Sequence, residues 1–91
     1  MSDSPSAPSY VASPEVLVTD LNDELVLLHG TTSQMYSLNE VARRVWQRLP
    51  ATRAELLSTL LEHYEVGVDT ATADLNVLLA DLQRLDMVKS G

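Results

Sequence analysis

Ninety-one residues with 45% hydrophobic content suffice for one small domain, with no room for a second core or a large catalytic cleft between domains. The absence of cysteine excludes disulfides, thiolate metal sites and cysteine nucleophiles. The net charge is −7, and Ala54 to Gly91 contribute −5 of it from seven acids against two bases, which makes nucleic acid a poor partner.

A duplex-binding surface needs several cations to displace counterions. Here four of the six, Arg43, Arg44, Arg48 and Arg53, lie on or just after one predicted helix. That cluster reads as a solvated helix face, whereas the acidic half suits an approaching cationic peptide.

In chain order, Met1 to Ser13 are mostly Ser, Pro and Ala with one acid, and lack the cationic start and apolar run of a signal peptide. Residues 1–14 are therefore expected to form a flexible N-terminal arm, with the folded domain over residues 15–89. No apolar segment approaches the roughly 20 residues of a membrane span, so the expectation is a cytoplasmic protein without a membrane partner.

Glu15 to Asp20 read as a first strand, and Leu21-Asn22-Asp23 as a turn, since Asn and Asp tolerate turn geometry. Glu24 to His29 form a continuous apolar run of strand length, which predicts a central strand buried on both faces. Gly30-Thr31-Thr32-Ser33 supply a polar reversal, and Gln34 to Leu38 return antiparallel as the third strand, the last in sequence and so a candidate for an unpaired edge.

At Gln34 to Trp46 the hydrophobic period changes from strand to helix without a linker. Ser37-Leu38-Asn39-Glu40 have the pattern of a capping box, with Asn39 as an alternative cap. Val41, Val45, Trp46 and Leu49 form the inward stripe of helix one, and Pro50 stops it. A second box, Thr52-Arg53-Ala54-Glu55, opens helix two, whose stripe is Leu56, Leu57, Leu60, Leu61 and Tyr64, ending at Gly67. Asp69 can cap a third helix that runs to about Leu85, and Met87 and Val88 are expected to fold back on the core. The result is an α+β domain, winged-helix-like in outline, with a three-stranded antiparallel sheet followed by three helices (β-β-β-α-α-α).

Strand two with its polar turn, the Met35-Tyr36 pair, Leu38-Asn39-Glu40-Val41, Ala42 and the Val45-Trp46 pair resemble the signature of the PqqD-like family, the peptide-binding modules known as RiPP recognition elements. The resemblance covers Glu15 to Val88. As a standalone domain with an acidic C-terminal half, the chain looks closest to the separate leader-binding proteins of lasso-peptide biosynthesis. Ser33 stands where members often have glycine, and Met35 where they often have an aromatic. The resemblance implies that the leader region of a precursor peptide adds as a strand beside strand three, in the groove between that strand and helix three. It also implies a maturation enzyme as partner, such as a leader peptidase of the cysteine-protease type.

The residues allow this independently, because an unpaired strand edge can take up another chain. Main-chain groups of Ser33, Gln34, Met35, Tyr36 and Ser37 would provide hydrogen bonds. Gln34, Tyr36 and Leu38 share one face of the strand and Met35 and Ser37 the other, and either set can face the helices. At 100° per residue the apolar arc of helix three centres near Leu82, which nominates Leu75, Leu78, Leu79 and Leu82 as pocket wall. Asp74 and Asp81 border that arc as partners for a basic leader residue; solvated acids and plain core leucines are the structural alternative.

Catalytic chemistry is nearly absent. His29 and His63 are the only histidines and have no second histidine or carboxylate at ligand spacing, so no metal is expected. No nucleophile elbow or glycine-rich phosphate loop is present, no cofactor is expected, and Trp46 reads as a core anchor. The chain is expected not to be an enzyme. Two other readings compete with a leader-binding adaptor: a winged-helix nucleic-acid regulator, which needs a basic recognition helix, and a non-catalytic subunit that dimerises through strand edges.

Overall fold

The computed structural model describes residues 9–90. Strand β1 (Ser9–Ala12) precedes β2 (Val16–Asp20), β3 (Leu25–His29) and β4 (Met35–Leu38). Helix α1 (Glu40–Arg48), the short β5 (Ala51–Thr52), α2 (Arg53–His63), α3 (Val68–Arg84) and β6 (Val88–Ser90) follow. The architecture is the expected α+β one, with the antiparallel sheet β2-β3-β4 ahead of three helices.

A second three-stranded sheet, β5-β1-β6, was not foreseen. Ser9–Ala12, assigned to a flexible arm on composition, form its central strand, with Tyr10 opposite Ala51 on one side and Ser90 on the other. These pairings span some forty and eighty residues of chain. A local hydrophobic period carries no trace of them. Residues 1–8 of the expected arm lie outside the described residues.

In β3 the buried positions are Leu25, Leu27 and His29, while Val26 and Leu28 are half-buried. The apolar run therefore reflects one core face and one partly covered face, rather than burial on both sides. Two core clusters meet on α3. Ala71, Leu75 and Leu79 pack with Val45, Leu56 and Leu60 of α1 and α2. Leu82 packs with Leu25, Leu27, Leu38, Met87 and Val88. Met87 and Val88 do fold back, both at 2% exposure or less.

The caps refine the boundaries. Asn39, rather than Ser37, caps α1: its side chain accepts from the Ala42 amide at 2.9 Å. The Thr52–Glu55 capping box is complete, with bonds of 2.8 and 3.2 Å, and its hydrogen bond to the Thr52 backbone amide, more than nearby Arg48, holds the Glu55 carboxyl below its ordinary value. Helix α2 ends at His63, short of Gly67. Gly67 instead precedes α3 as its N-cap, and Asp69, expected as the cap, lies inside the first turn, where its charge suits the helix dipole.

Helix α3 closes in a Schellman turn. The Met87 amide donates to the Leu82 carbonyl at 2.8 Å and the Asp86 amide to the Gln83 carbonyl at 3.0 Å. Leu82 and Met87 share a core cluster, the apolar contact that accompanies this motif.

Candidate peptide-binding groove

Strand β4 is an edge: among the described residues the sheet order β2-β3-β4 leaves its outer side unpaired. The His29 amide donates to the Gln34 carbonyl at 2.9 Å, and β3 and β4 then pair Leu28 with Met35, Leu27 with Tyr36 and Val26 with Ser37. Hydrogen-bonded pairs alternate along an antiparallel ladder. The Tyr36 backbone therefore turns toward β3, and the backbone groups of Met35 and Ser37 turn toward the free edge.

The side-chain question left open by the sequence is resolved as well. Leu38 is buried and Tyr36 half-buried, so their face packs on the helices, while Met35 is 65% exposed on the outer face. The turn before β4 has Ser33 in the left-handed region at φ 65, the conformation glycine adopts most readily. Its neighbour Gly30 donates its amide to the Glu15 carbonyl at 2.7 Å, and a Cβ there would stand 3.1 Å from that oxygen. The reversal is thus compact on both counts.

Beside this edge opens a groove of about 450 Å³ between β4, α1 and α3. Tyr36 and Ser37 form one wall, and Asp74, Leu75, Val77 and Leu78 the other. Val41, Ala42, Val45 and Leu60 contribute an apolar floor, and Asn39 lies at the start of α1. Among the described residues no lysine or arginine lines it. Asp74 is exposed and has no ion-pair partner among the described residues.

Of the residues nominated from sequence, the structure gathers Tyr36, Ser37, Asp74, Leu75 and Leu78 in the groove. Ser33, Gln34 and Met35 belong to the turn and edge without lining it. Leu79 and Leu82, nominated as pocket wall, are core residues at 2% and 1% exposure. The arc of α3 is wide enough to serve both purposes: half-buried Leu78 faces the groove, and Leu75, a core residue at 2% exposure, forms its base. The floor is a second use of the α1 stripe: Val41 and Val45, on the inward face expected from the sequence, line the groove together with Ala42 and with Leu60 of α2. Val77, 63% exposed, was missed, although an apolar residue outside the arc of an amphipathic helix was a visible signal.

Asp81 is committed within the fold. It accepts from the Tyr36 hydroxyl at 3.2 Å and pairs with Arg84 at 3.0 Å, which ties β4 to α3. The bonds from Arg84 and then Tyr36 hold its carboxyl below the ordinary value. Burial, then the bond to Asp81, pushes the Tyr36 phenol up, so the donor keeps its proton through neutral pH.

The family model of "Coenzyme PQQ synthesis protein D" matches residues 24–88. The chain belongs to the PqqD family. Two solved structures share the fold at close to full length. TbiB1 in complex with the TbiA(beta) leader peptide has a TM-score of 0.81 at 27% identity, over 87% of this chain and 94% of that one. Lasso peptide synthetase B1 complexed with the leader peptide has a TM-score of 0.77 at 28% identity, over 88% of this chain and 96% of that one. No curated protein matches the sequence. The match makes this chain a PqqD-like RiPP recognition element.

Among the described residues there is no cluster of His, Cys, Asp or Glu able to hold a metal ion, and no helix long and apolar enough to cross a membrane. His63 is exposed in the last turn of α2, with Nδ1 2.9 Å from the Thr59 carbonyl.

Proposed function

We propose that this PqqD-like chain binds the leader region of a ribosomally made precursor peptide and presents it to a maturation enzyme, without catalysing a step itself. The observation that carries this reading is the coincidence of an unpaired strand edge with an apolar groove directly beside it. A leader added along β4 takes main-chain hydrogen bonds from Met35 and Ser37, and sets alternate side chains against Leu75, Val77 and Leu78. Both structural relatives are leader-peptide complexes, which supports a leader as the occupant.

Affinity comes from the ladder and a few apolar anchors, and Asp74 favours a basic residue at that end of the leader. The enzyme served is a leader peptidase of lasso-peptide biosynthesis, acting in the cytoplasm. Holding the leader raises the effective concentration of the attached core peptide at that enzyme. The nucleic-acid reading is disfavoured by α3 and its C-terminal turn, where Asp69, Asp74, Asp81 and Asp86 outnumber the nearby cations Arg84 and Lys89, which are themselves paired with Asp81 and Asp86.

The test is calorimetric titration of the full chain with the synthetic leader of the precursor encoded beside it, against a scrambled leader of equal composition. Saturable binding of the first alone is expected. Equal binding of both, or of neither, overturns the reading.

A further inference from the structure

Among the described residues His29 is the buried titratable group, at 2% exposure, and both of its ring nitrogens are used. Nδ1 accepts from the Thr31 amide at 3.1 Å and the Thr32 amide at 3.2 Å. An acceptor Nδ1 requires the proton on Nε2, and Nε2 lies 3.1 Å from Asp86 Oδ2, the carboxylate that receives it. The ring therefore spans from the turn that launches β4 to the residue that closes α3. Those two elements are the walls of the groove.

Asp86 occupies a position that chemistry would assign to glycine. It is the left-handed residue of the Schellman turn, at φ 60, where a side chain costs backbone energy. Its carboxylate makes two contacts in return, with His29 and with Lys89 Nζ at 3.1 Å. The hydrogen bond from Lys89, and then that from His29, hold the Asp86 carboxyl below its ordinary value. Glu15 faces the same turn, accepting from the Thr31 hydroxyl at 3.0 Å. Among the described residues no other side chain accepts from the Thr31 and Thr32 amides, so the imidazole supplies their acceptor, while the Ser33 amide donates to the His29 carbonyl at 2.9 Å.

We infer that His29 and Asp86 are positioning residues of the leader site: Asp86 fixes the imidazole tautomer, the imidazole holds the Thr31–Thr32 turn, and the pair thereby sets the separation of β4 from the end of α3. This rests on the leader-binding reading above and extends it from the residues that would touch the peptide to those that aim them. Together with the Tyr36–Asp81 bond it gives the groove two ties, one at the turn and one along the strand.

The decisive variants are Asp86→Gly and Asp86→Asn in the full chain. Glycine relieves the backbone at φ 60 and so offsets the lost contacts with His29 and Lys89, and thermal stability should remain close to that of the parent chain. Without the carboxylate, the His29 ring nitrogen shifts should report mixed tautomers and the Thr31 and Thr32 amides should exchange about tenfold faster in the free protein. Affinity for the synthetic leader should fall about three- to tenfold. Asp86→Asn keeps an acceptor oxygen and tolerates the left-handed backbone, so it should restore the tautomer, the exchange rates and the affinity.

Unchanged tautomer and exchange in Asp86→Gly overturn the clamp, whether or not the leader binds. A changed tautomer with unchanged leader affinity overturns its role in positioning the site. If the parent chain fails to bind the leader, the functional reading falls and with it the positioning role, while tautomer and exchange still decide the clamp.

Discussion

Strands β2 and β4 flank the same central strand, and each presents an unpaired edge, but only β4 has a second wall beside it. On β2, Leu17 and Val18 are 60% and 48% exposed, and no residue of that strand lines the groove. Its Val16 amide is already occupied by the Ser13 carbonyl at 3.2 Å. On β4 the outward backbone of Met35 and Ser37 runs along an apolar cleft whose far side is α3. An exposed edge alone is a liability that sheets tolerate. It becomes a recognition surface when a neighbouring element supplies pockets for alternate side chains.

The largest expected contrast comes from removing one outward amide on each edge. The β2–β3 register, continued through the same alternation, turns the Val18 backbone outward just as Met35 is turned on β4. Met35→Pro should weaken leader binding about tenfold or more, since it deletes a ladder donor on an edge that tolerates proline. Val18→Pro should leave affinity within about twofold. Calorimetric titration of both folded variants with the leader checks this, and equal losses would remove the distinction between the edges.

The two kinds of leucine on α3 give the next contrast. Leu79→Ala opens a cavity in the core and should cost about 2–4 kcal/mol of stability in denaturant unfolding. Leu78→Ala, at a half-buried groove position, should cost less stability while weakening the leader by about fivefold. A Leu78 variant that binds normally would make the groove a mere surface feature.

Smaller effects follow from the polar groups. Tyr36→Phe removes the tie to Asp81 and should weaken the leader about two- to threefold. Asp74→Asn should have a similar or smaller effect that disappears in high salt, because Asp74 is exposed.

The carboxyls of Asp81, Asp86 and Glu55 are all held below their ordinary value in the folded chain. Groups of that sign contribute stability fully above the unfolded value of about 4, and the contribution is lost as pH falls through the depressed folded values. Stability followed by circular dichroism should therefore be insensitive to these three groups from about pH 5 upward and decline below about pH 4.

Much of this was legible in the sequence because it is written locally. The change of period at Gln34 to Trp46 located β4 and α1, and the Thr52–Glu55 box located α2. Proximity of β4 and α3 followed from the family resemblance and from the width of the apolar arc. What was not legible depends on distant partners. Ser9–Ala12 become a strand only because Ala51–Thr52 and Val88–Ser90 lie on either side of them. His29 looked isolated until the chain brought Asp86 to it. Periodicity alone also could not divide the leucines of α3 between core and groove, since Leu75, Leu78, Leu79 and Leu82 lie on one arc and differ only in what packs opposite.

The most direct measurement is residue-resolved amide hydrogen exchange of the full chain with and without the leader. The account expects the Met35 and Ser37 amides, which face the free edge of β4, to become protected on binding, with Val18 of β2 unchanged. Protection at Val18 without protection at Met35 and Ser37 would contradict it.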